Sequence, residues 1–269
     1  IRVLVESPED IKTARELQHG ITVTAPATHP HTRTERAGRA TTIAQAGAEY
    51  FTELKRYIEL DPPAPWHPSL SPAAQAIVDN PSSVATKVLA AGVAEGEQLI
   101  LRGNGSDAVK RNGWSTGRAA TGSGDDILKR AVGAKFGLGG HQAIENRSYA
   151  AQADAQGNRI DGTKPLTLRF AADNKPPCSA FWSLTAYGPD MYLVENAIDR
   201  WSISDRTPDL NYDEDGGLTI TLSYEQPTAM TNWLPVPAGP YLLGLRVYEG
   251  HDEVVNCAWF PPTLNPAND

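Results

Sequence analysis

The sequence has only two cysteines, Cys178 and Cys257, and they lie far apart. Neither belongs to a CxxC pair, which excludes the common zinc and dithiol redox sites and leaves two thiols or one disulfide open. Long apolar runs are also missing. Stretches such as residues 241–245 fall far short of the ~20 residues that a membrane-spanning helix needs. Clustered basic charge is absent as well: the net charge is −8, and Arg33, Arg36 and Arg39 are diluted by Thr, Glu and Gly. Such a chain repels phosphate backbones, so no nucleic-acid partner is expected. No HExxH motif and no strand-to-helix Gly-x-Ser-x-Gly elbow occurs.

What remains is an ordinary globular composition, 40% hydrophobic and 21% charged over 269 residues, enough for one large domain or two small ones. Residues 2–5 form a short β-like run. Ser7, Pro8 and Asp10 then spell a helix start, with Ile11, Ala14 and Leu17 on one face and Gly20 as the stop. Residues 26–40 lack periodicity and read as an exposed loop. A second helix is predicted from Thr42, with Ile43, Ala46, Tyr50, Leu54, Tyr57 and Ile58 at helical spacing, ended by the proline-rich 61–65. Residues 73–78 and 84–101 continue the helical pattern, the latter with Val84, Val88, Ala91, Glu95 and Leu99 on its buried face. A loop rich in Gly, Ser and Asn covers 103–124, and a last helix spans 125–136.

After Gly140 the period shortens. Residues 144–153, 166–171, 180–187, 218–224, 241–248 and 254–260 are β-rich runs separated by turn clusters at 154–158, 173–177 and 213–217. Helices first and strands second predict an α+β protein: a helical segment over 1–140 with one short N-terminal strand, then an antiparallel, jelly-roll-like β-sandwich over 141–269.

Several motifs fail on inspection. Residues 117–124 space glycines like a phosphate loop, but Ser123 stands where the lysine belongs. Asn211, Asp213 and Asp215 imitate half a calcium loop, but its twelfth position is Leu222, so a tight turn is expected instead. His29 and His31 have no third ligand at suitable spacing, and His251 and Asp252 read as a turn. No metal and no cofactor is expected. The densest functional-looking stretch is 181–206, with Trp182, Tyr187, Asn196, Asp199, Arg200, Asp205 and Arg206 close together and Asn232 and Trp233 downstream. Its Asp–Arg pairs suit an anion clamp, since guanidinium grips carboxylate or phosphate through paired hydrogen bonds. They suit equally a set of salt bridges that pins an irregular crossing loop, which is the favoured expectation.

The segments AFWSLTAYGPDMYLVENAIDRWSISDRTPDL (180–210), DEDGGLTITLS (213–223), NWLPVPAGPYLLGLRVY (232–248) and FPP (260–262) resemble the DUF-1254/DUF-1214 family of uncharacterised proteins. So do GDDILKRAVGAKFGLG (124–139) and DAQGNRIDG (154–162), while VESPEDIKTARELQHGI (5–21) resembles the joint between the two named domains. Residues 22–41 depart from the pattern. The resemblance implies a jelly-roll-like β domain with a helical insertion, export from bacteria, and another β domain upstream. With a chain that opens mid-strand at Ile1, it also implies a homo-oligomer or a partner supplying the missing half. It carries no catalytic residue.

Two functions are expected. One is a hydrolase- or lyase-like enzyme on a carbohydrate or other small polar molecule, with Arg200, Arg206, Tyr187 and Asn232 orienting the substrate and Asp199 or Asp205 as acid/base. The other is a non-catalytic glycan-binding or protein-assembly module built on Trp182, Trp201 and Trp233. A disulfide between Cys178 and Cys257, drawn together by neighbouring strands, is a weaker expectation.

Overall fold

The computed structural model describes residues 8–24, 46–60, 62, 70–117, 124–137, 139–154, 156–228 and 232–267. The expected strand at 2–5, the Ser7 cap, the 26–40 loop with His29 and His31, and most of the proline connector at 61–65 lie outside them. The chain divides into two units, residues 1–46 and 47–269. In the first, a 3₁₀ turn at Pro8–Asp10 leads into α1 (Ile11–Gly20), which buries Ala14 and exposes Ile11 and Leu17.

The second unit begins with α2 (Glu49–Leu60), α3 (Pro72–Asp79), α4 (Thr86–Gly103) and α5 (Ile127–Phe136). Local chemistry fixes their starts. Ser71 accepts from Ala74 N at 3.2 Å with Pro72 in the first turn, and Asp126 accepts from Lys129 N at 2.9 Å. Such caps hold the first helical N–H groups, which have no partner inside the helix. The face of α4 differs from expectation: Leu89, Val93 and Glu97 are buried, while Val88 and Leu99 are exposed. The buried stripe runs at four-residue spacing and ends on Glu97, whose carboxylate meets Lys135 of α5 at 3.2 Å. No helix among the described residues is long and apolar enough to cross a membrane.

The strands are β1 (Ala108–Arg111), β2 (Trp114–Gly117), β3 (Asn146–Ala151), β4 (Leu166–Phe170), β5 (Cys178–Tyr187), β6 (Ser202–Ser204), β7 (Leu218–Ser223), β8 (Trp233–Pro235), β9 (Leu242–Gly250) and β10 (Leu264–Pro266). They form a six-stranded antiparallel sheet, β1-β2-β3-β9-β5-β6, and a four-stranded sheet, β10-β4-β7-β8. Alternation explains the packing. Tyr149 and Ala151 of β3, Trp182, Leu184 and Ala186 of β5, and Leu243, Leu245 and Val247 of β9 point into one core. Leu166, Leu168 and Phe170 of β4 and Leu218, Ile220 and Leu222 of β7 meet them from the other sheet. The Phe170 and Trp182 rings touch across the gap, 5.6 Å between centroids. Burying each such side chain contributes about 1.5–3 kcal/mol, so this shared core outweighs any surface term. The fold is α+β, with two stacked sheets and with α1 to α4 preceding the first strand, while α5 follows the β1–β2 hairpin.

Four expectations are corrected. Residues 103–124 are not all loop, because β1 and β2 form a hairpin over Asn112 and Gly113, both at positive φ as a tight hairpin turn requires. The sheets are not wholly antiparallel, since β7 and β8 run parallel. The chain crosses over between them and returns in the same direction. Residues 254–260 are not a strand. A short helix, α6 (Asp252–Val255), follows His251, and Trp259 and Phe260 then enter the core from irregular backbone. Val255 N and Asn256 N donate to His251 O and Asp252 O, and the acidic pair Asp252 and Glu253 suits the first turn. Lastly, Cys178 and Cys257 are free thiols. Cys178 sits at the start of β5 near Asp205 and Arg206, whereas Cys257 lies beside Gly117, 4.0 Å from its carbonyl oxygen.

Candidate functional site

The residues singled out in 181–233 sit where the chain crosses between the sheets, and most of their polar atoms hold that crossing together. Asn196 accepts from Ile198 N and Arg200 N and donates to Val194 O and Arg200 O. Arg200 donates to Trp233 O at 2.9 Å. Asn232, buried at φ +53, accepts from Asn211 N and donates to Asn211 O and Thr219 O. Trp182 and Trp233 are buried, and the Trp233 indole N–H donates to Ser223 O. Asp199 is exposed in a left-handed conformation. Asp205 accepts from Trp182 N at 3.2 Å; partial burial raises its carboxyl above the ordinary range, against the pull of that N–H and of Arg206. Burial, with the Asp205 charge, pushes the nearby Cys178 thiol up to about 11. Asp213 and Asp215 spend their carboxylates on Arg169, at 3.1 and 2.5 Å, which makes the calcium-like stretch a pinned turn.

Tyr187 and Arg206 differ, because they stand on the outer face of the six-stranded sheet. There the strands place residues in register: Ser148, Arg246, Ser183 and Ser204 in one row, Asn146, Tyr248 and Phe181 in the next, and Ala150, Gly244 and Thr185 on the other side. The Tyr187 ring lies over Gly244, where a Cβ would come 3.3 Å from the ring and 3.5 Å from an Arg246 nitrogen. Glycine at this position lets the ring and the guanidinium lie flat on the sheet. Arg246 packs over the Tyr187 ring at 5.5 Å, and Arg206 over Phe181 at 4.5 Å. Phe181 in turn stacks on Tyr248 at 4.2 Å.

Arg246 is half-buried, yet among the described residues its guanidinium has no hydrogen-bond acceptor and no carboxylate within ion-pair reach. Stacking uses only the flat face of the group and leaves its in-plane N–H donors available. In the next row, opposite Tyr248, the Asn146 amide nitrogen is buried with no partner among the described residues, while its oxygen accepts from Ser148 at 3.0 Å. Neither Arg246 nor Asn146 was a sequence candidate. The available signal was the alternation of residues 242–250, which sets Gly244, Arg246 and Tyr248 opposite Leu243, Leu245 and Val247.

The outer face is partly roofed at its β1–β3 end. A groove of about 760 Å³ runs between α5 and this sheet face. Its floor carries Ser115, Ser148 and Ala150, its near wall Ser106 and Asp107, and its far wall Leu128, Val132 and Phe136 of α5. Ser148 belongs both to this floor and to the row of Arg246, so the groove floor reaches the strand next to β9.

Residues 145–252 match the family model described as "Protein of unknown function (DUF1214)", which bears out that part of the resemblance. This stretch holds β3 through β9 and with them the outer-face residues. A comparison with curated proteins finds no match. The crystal structure of the VPA0106 protein from Vibrio parahaemolyticus is similar in fold, with a TM-score of 0.55 at 20% identity, covering 100% of this chain and 67% of that one. A crystal structure of an uncharacterized protein from Burkholderia cenocepacia aligns over 82% of this chain and 48% of that chain, at 15% identity and a TM-score of 0.33.

Proposed function

We propose that this chain, whose C-terminal part is a DUF1214 segment, is a non-catalytic module that binds a hydroxylated carboxylate of the sugar-acid class on the outer face of its six-stranded sheet. One observation carries the proposal: the half-buried Arg246 guanidinium, held flat by Tyr187, has no protein acceptor among the described residues. A guanidinium in that state is costly unless water or a ligand meets its donors, and a carboxylate matches their fork geometry. The Ser148 and Ser183 hydroxyls in the same row supply partners for sugar hydroxyls. The hydrolase- or lyase-like alternative draws on Asp205, whose raised carboxyl suits an acid. That carboxyl is tied to Trp182 N, however, and the mechanism needs a second titratable group converging on the same point.

Titration calorimetry with D-glucuronate and D-glucose tests the proposal. Glucuronate is expected to bind and glucose not. Arg246→Ala is expected to weaken glucuronate about ten- to hundred-fold, the worth of a charge-assisted pair of about 1.5–3 kcal/mol. Binding of both sugars alike, or undiminished binding by Arg246→Ala, overturns it.

A further inference from the structure

We infer that the ligand is an oligosaccharide chain with a single acidic unit, the acid held at Arg246 and neutral units lying in the groove beneath α5. This rests on the binding proposal above and extends it to the shape and charge of the whole ligand. Three features of the groove point the same way.

The first is continuity. From Arg246 on β9 the sheet face passes Ser148 on β3 and Ser115 on β2 to Ala108 on β1, three inter-strand steps of about 4.8 Å each. A ligand anchored at Arg246 and filling this path is longer than one sugar ring. The groove volume of about 760 Å³ also falls in the range of sites that enclose ligands larger than a monosaccharide.

The second is its two-sided chemistry. Ser106, Ser115 and Ser148 offer hydroxyls on the sheet side, while Leu128, Val132 and Phe136 present apolar surface from α5. Leu128 and Phe136 are substantially exposed at 41% and 46%, although both face the groove. A pyranose or pentopyranose chain has the matching division, with hydroxyls at its rim and C–H groups on its faces.

The third is charge. Asp107 and Asp126 line the groove against one cation, Lys129. A second carboxylate on the ligand would face like charge there, so units beyond the first are neutral. The arrangement therefore selects a chain with one acidic unit and disfavours a polyuronate.

The experiment compares glucuronate alone, glucuronate linked to xylobiose and to xylotriose, neutral xylotetraose, and tetragalacturonate, by titration calorimetry. Affinity is expected to rise about tenfold or more from glucuronate to its xylotriose conjugate, because the second contact forms within an already bound ligand. Xylotetraose is expected to bind weakly, and tetragalacturonate no better than glucuronate. Gly133 lines the groove, and a Cβ built there meets no atom within 4 Å, so Gly133→Phe is used to add bulk to the α5 wall. That variant is expected to bind the xylotriose conjugate only as well as glucuronate, with glucuronate itself unchanged. Phe136→Ala, which thins the apolar wall, provides a second reading should Gly133→Phe fold poorly. The inference is overturned if all acidic ligands bind the native chain equally, if both variants keep the gain with length, or if tetragalacturonate binds as tightly as the xylotriose conjugate. In those cases an Arg246-dependent affinity for glucuronate leaves the binding proposal standing. Loss of glucuronate binding altogether defeats both.

Discussion

Asn232 offers the sharpest test of how the crossing segment is held. The residue adopts φ +53, a left-handed conformation that asparagine tolerates and alanine resists by about 1 kcal/mol or more. Its side chain accepts from Asn211 N at 3.0 Å and donates to Asn211 O and to Thr219 O, the latter at 3.0 Å. It thereby ties the segment before β7 to the first strand-forming turn of β8. Each bond contributes about 1 kcal/mol net, and losing all of them leaves acceptors in a mostly buried setting. Asn232→Ala is thus expected to cost about 3–4 kcal/mol once water reaching exposed Asn211 offsets part of the loss.

The two contributions separate experimentally. Asn232→Gly removes the same hydrogen bonds but accepts the positive φ, so its cost is expected to be about 1 kcal/mol smaller than that of alanine. In urea unfolding followed by tryptophan fluorescence, the alanine variant should lower the midpoint by about 1 M or more with an unchanged slope. A cost below about 1 kcal/mol for alanine, or equal costs for alanine and glycine, would refute the reasoning: the first removes the bonds, the second the strain.

Two further expectations concern charge. Lys135→Ala removes the ammonium 3.2 Å from the buried Glu97 carboxylate and is expected to cost about 1–3 kcal/mol by urea unfolding; an unchanged midpoint would show that the pair does not hold α4 to α5. Asp205 has a raised carboxyl pKa in the folded chain, so its contribution is fully present below the unfolded carboxylate pKa and is lost as pH rises through the folded value. Asp205→Asn, whose side-chain oxygen still accepts from Trp182 N, is therefore expected to gain on the native chain in urea midpoints as pH rises above about 4, and parallel pH profiles would contradict this.

The fold was legible where a pattern runs long enough to have a period. Residues 218–223 and 242–250 alternate, and both became strands at nearly the expected bounds. The strands β6 and β8 have three residues each, too few to show alternation, and their pairing depends on neighbours distant in sequence. The hairpin of β1 and β2 was hidden by its glycine- and serine-rich setting, although Asn112-Gly113 is the dipeptide that a two-residue hairpin turn favours. Residues 254–260 are the converse case. Apolar content suggested a strand, but Asp252 and Glu253 after His251 mark a helical first turn, and Trp259 and Phe260 reach the core without any ladder. Burial alone does not decide backbone conformation.

The site was less legible, for a physical reason that the crossing segment illustrates. Irregular backbone inside a sandwich has N–H and C=O groups with no ladder to join, so it recruits Asn, Asp, Ser and Arg side chains to satisfy them. Asn196, Arg200 and Asn232 do this work. A search for polar density therefore selects the places where polarity is already spent. Arg246 shows the opposite case, as a single charge in the apolar run LLGLRVY. The pleat turns its side chain outward, Gly244 gives it room to lie flat, and Tyr187 holds it there. Its neighbours in register, Ser148 and Ser183, carry no charge to neutralise it. A lone arginine at an outward position of a half-buried strand, flanked by serines and two residues from a glycine, is thus a better marker of unspent binding capacity than a longer polar stretch, because the fold itself does not consume its hydrogen bonds.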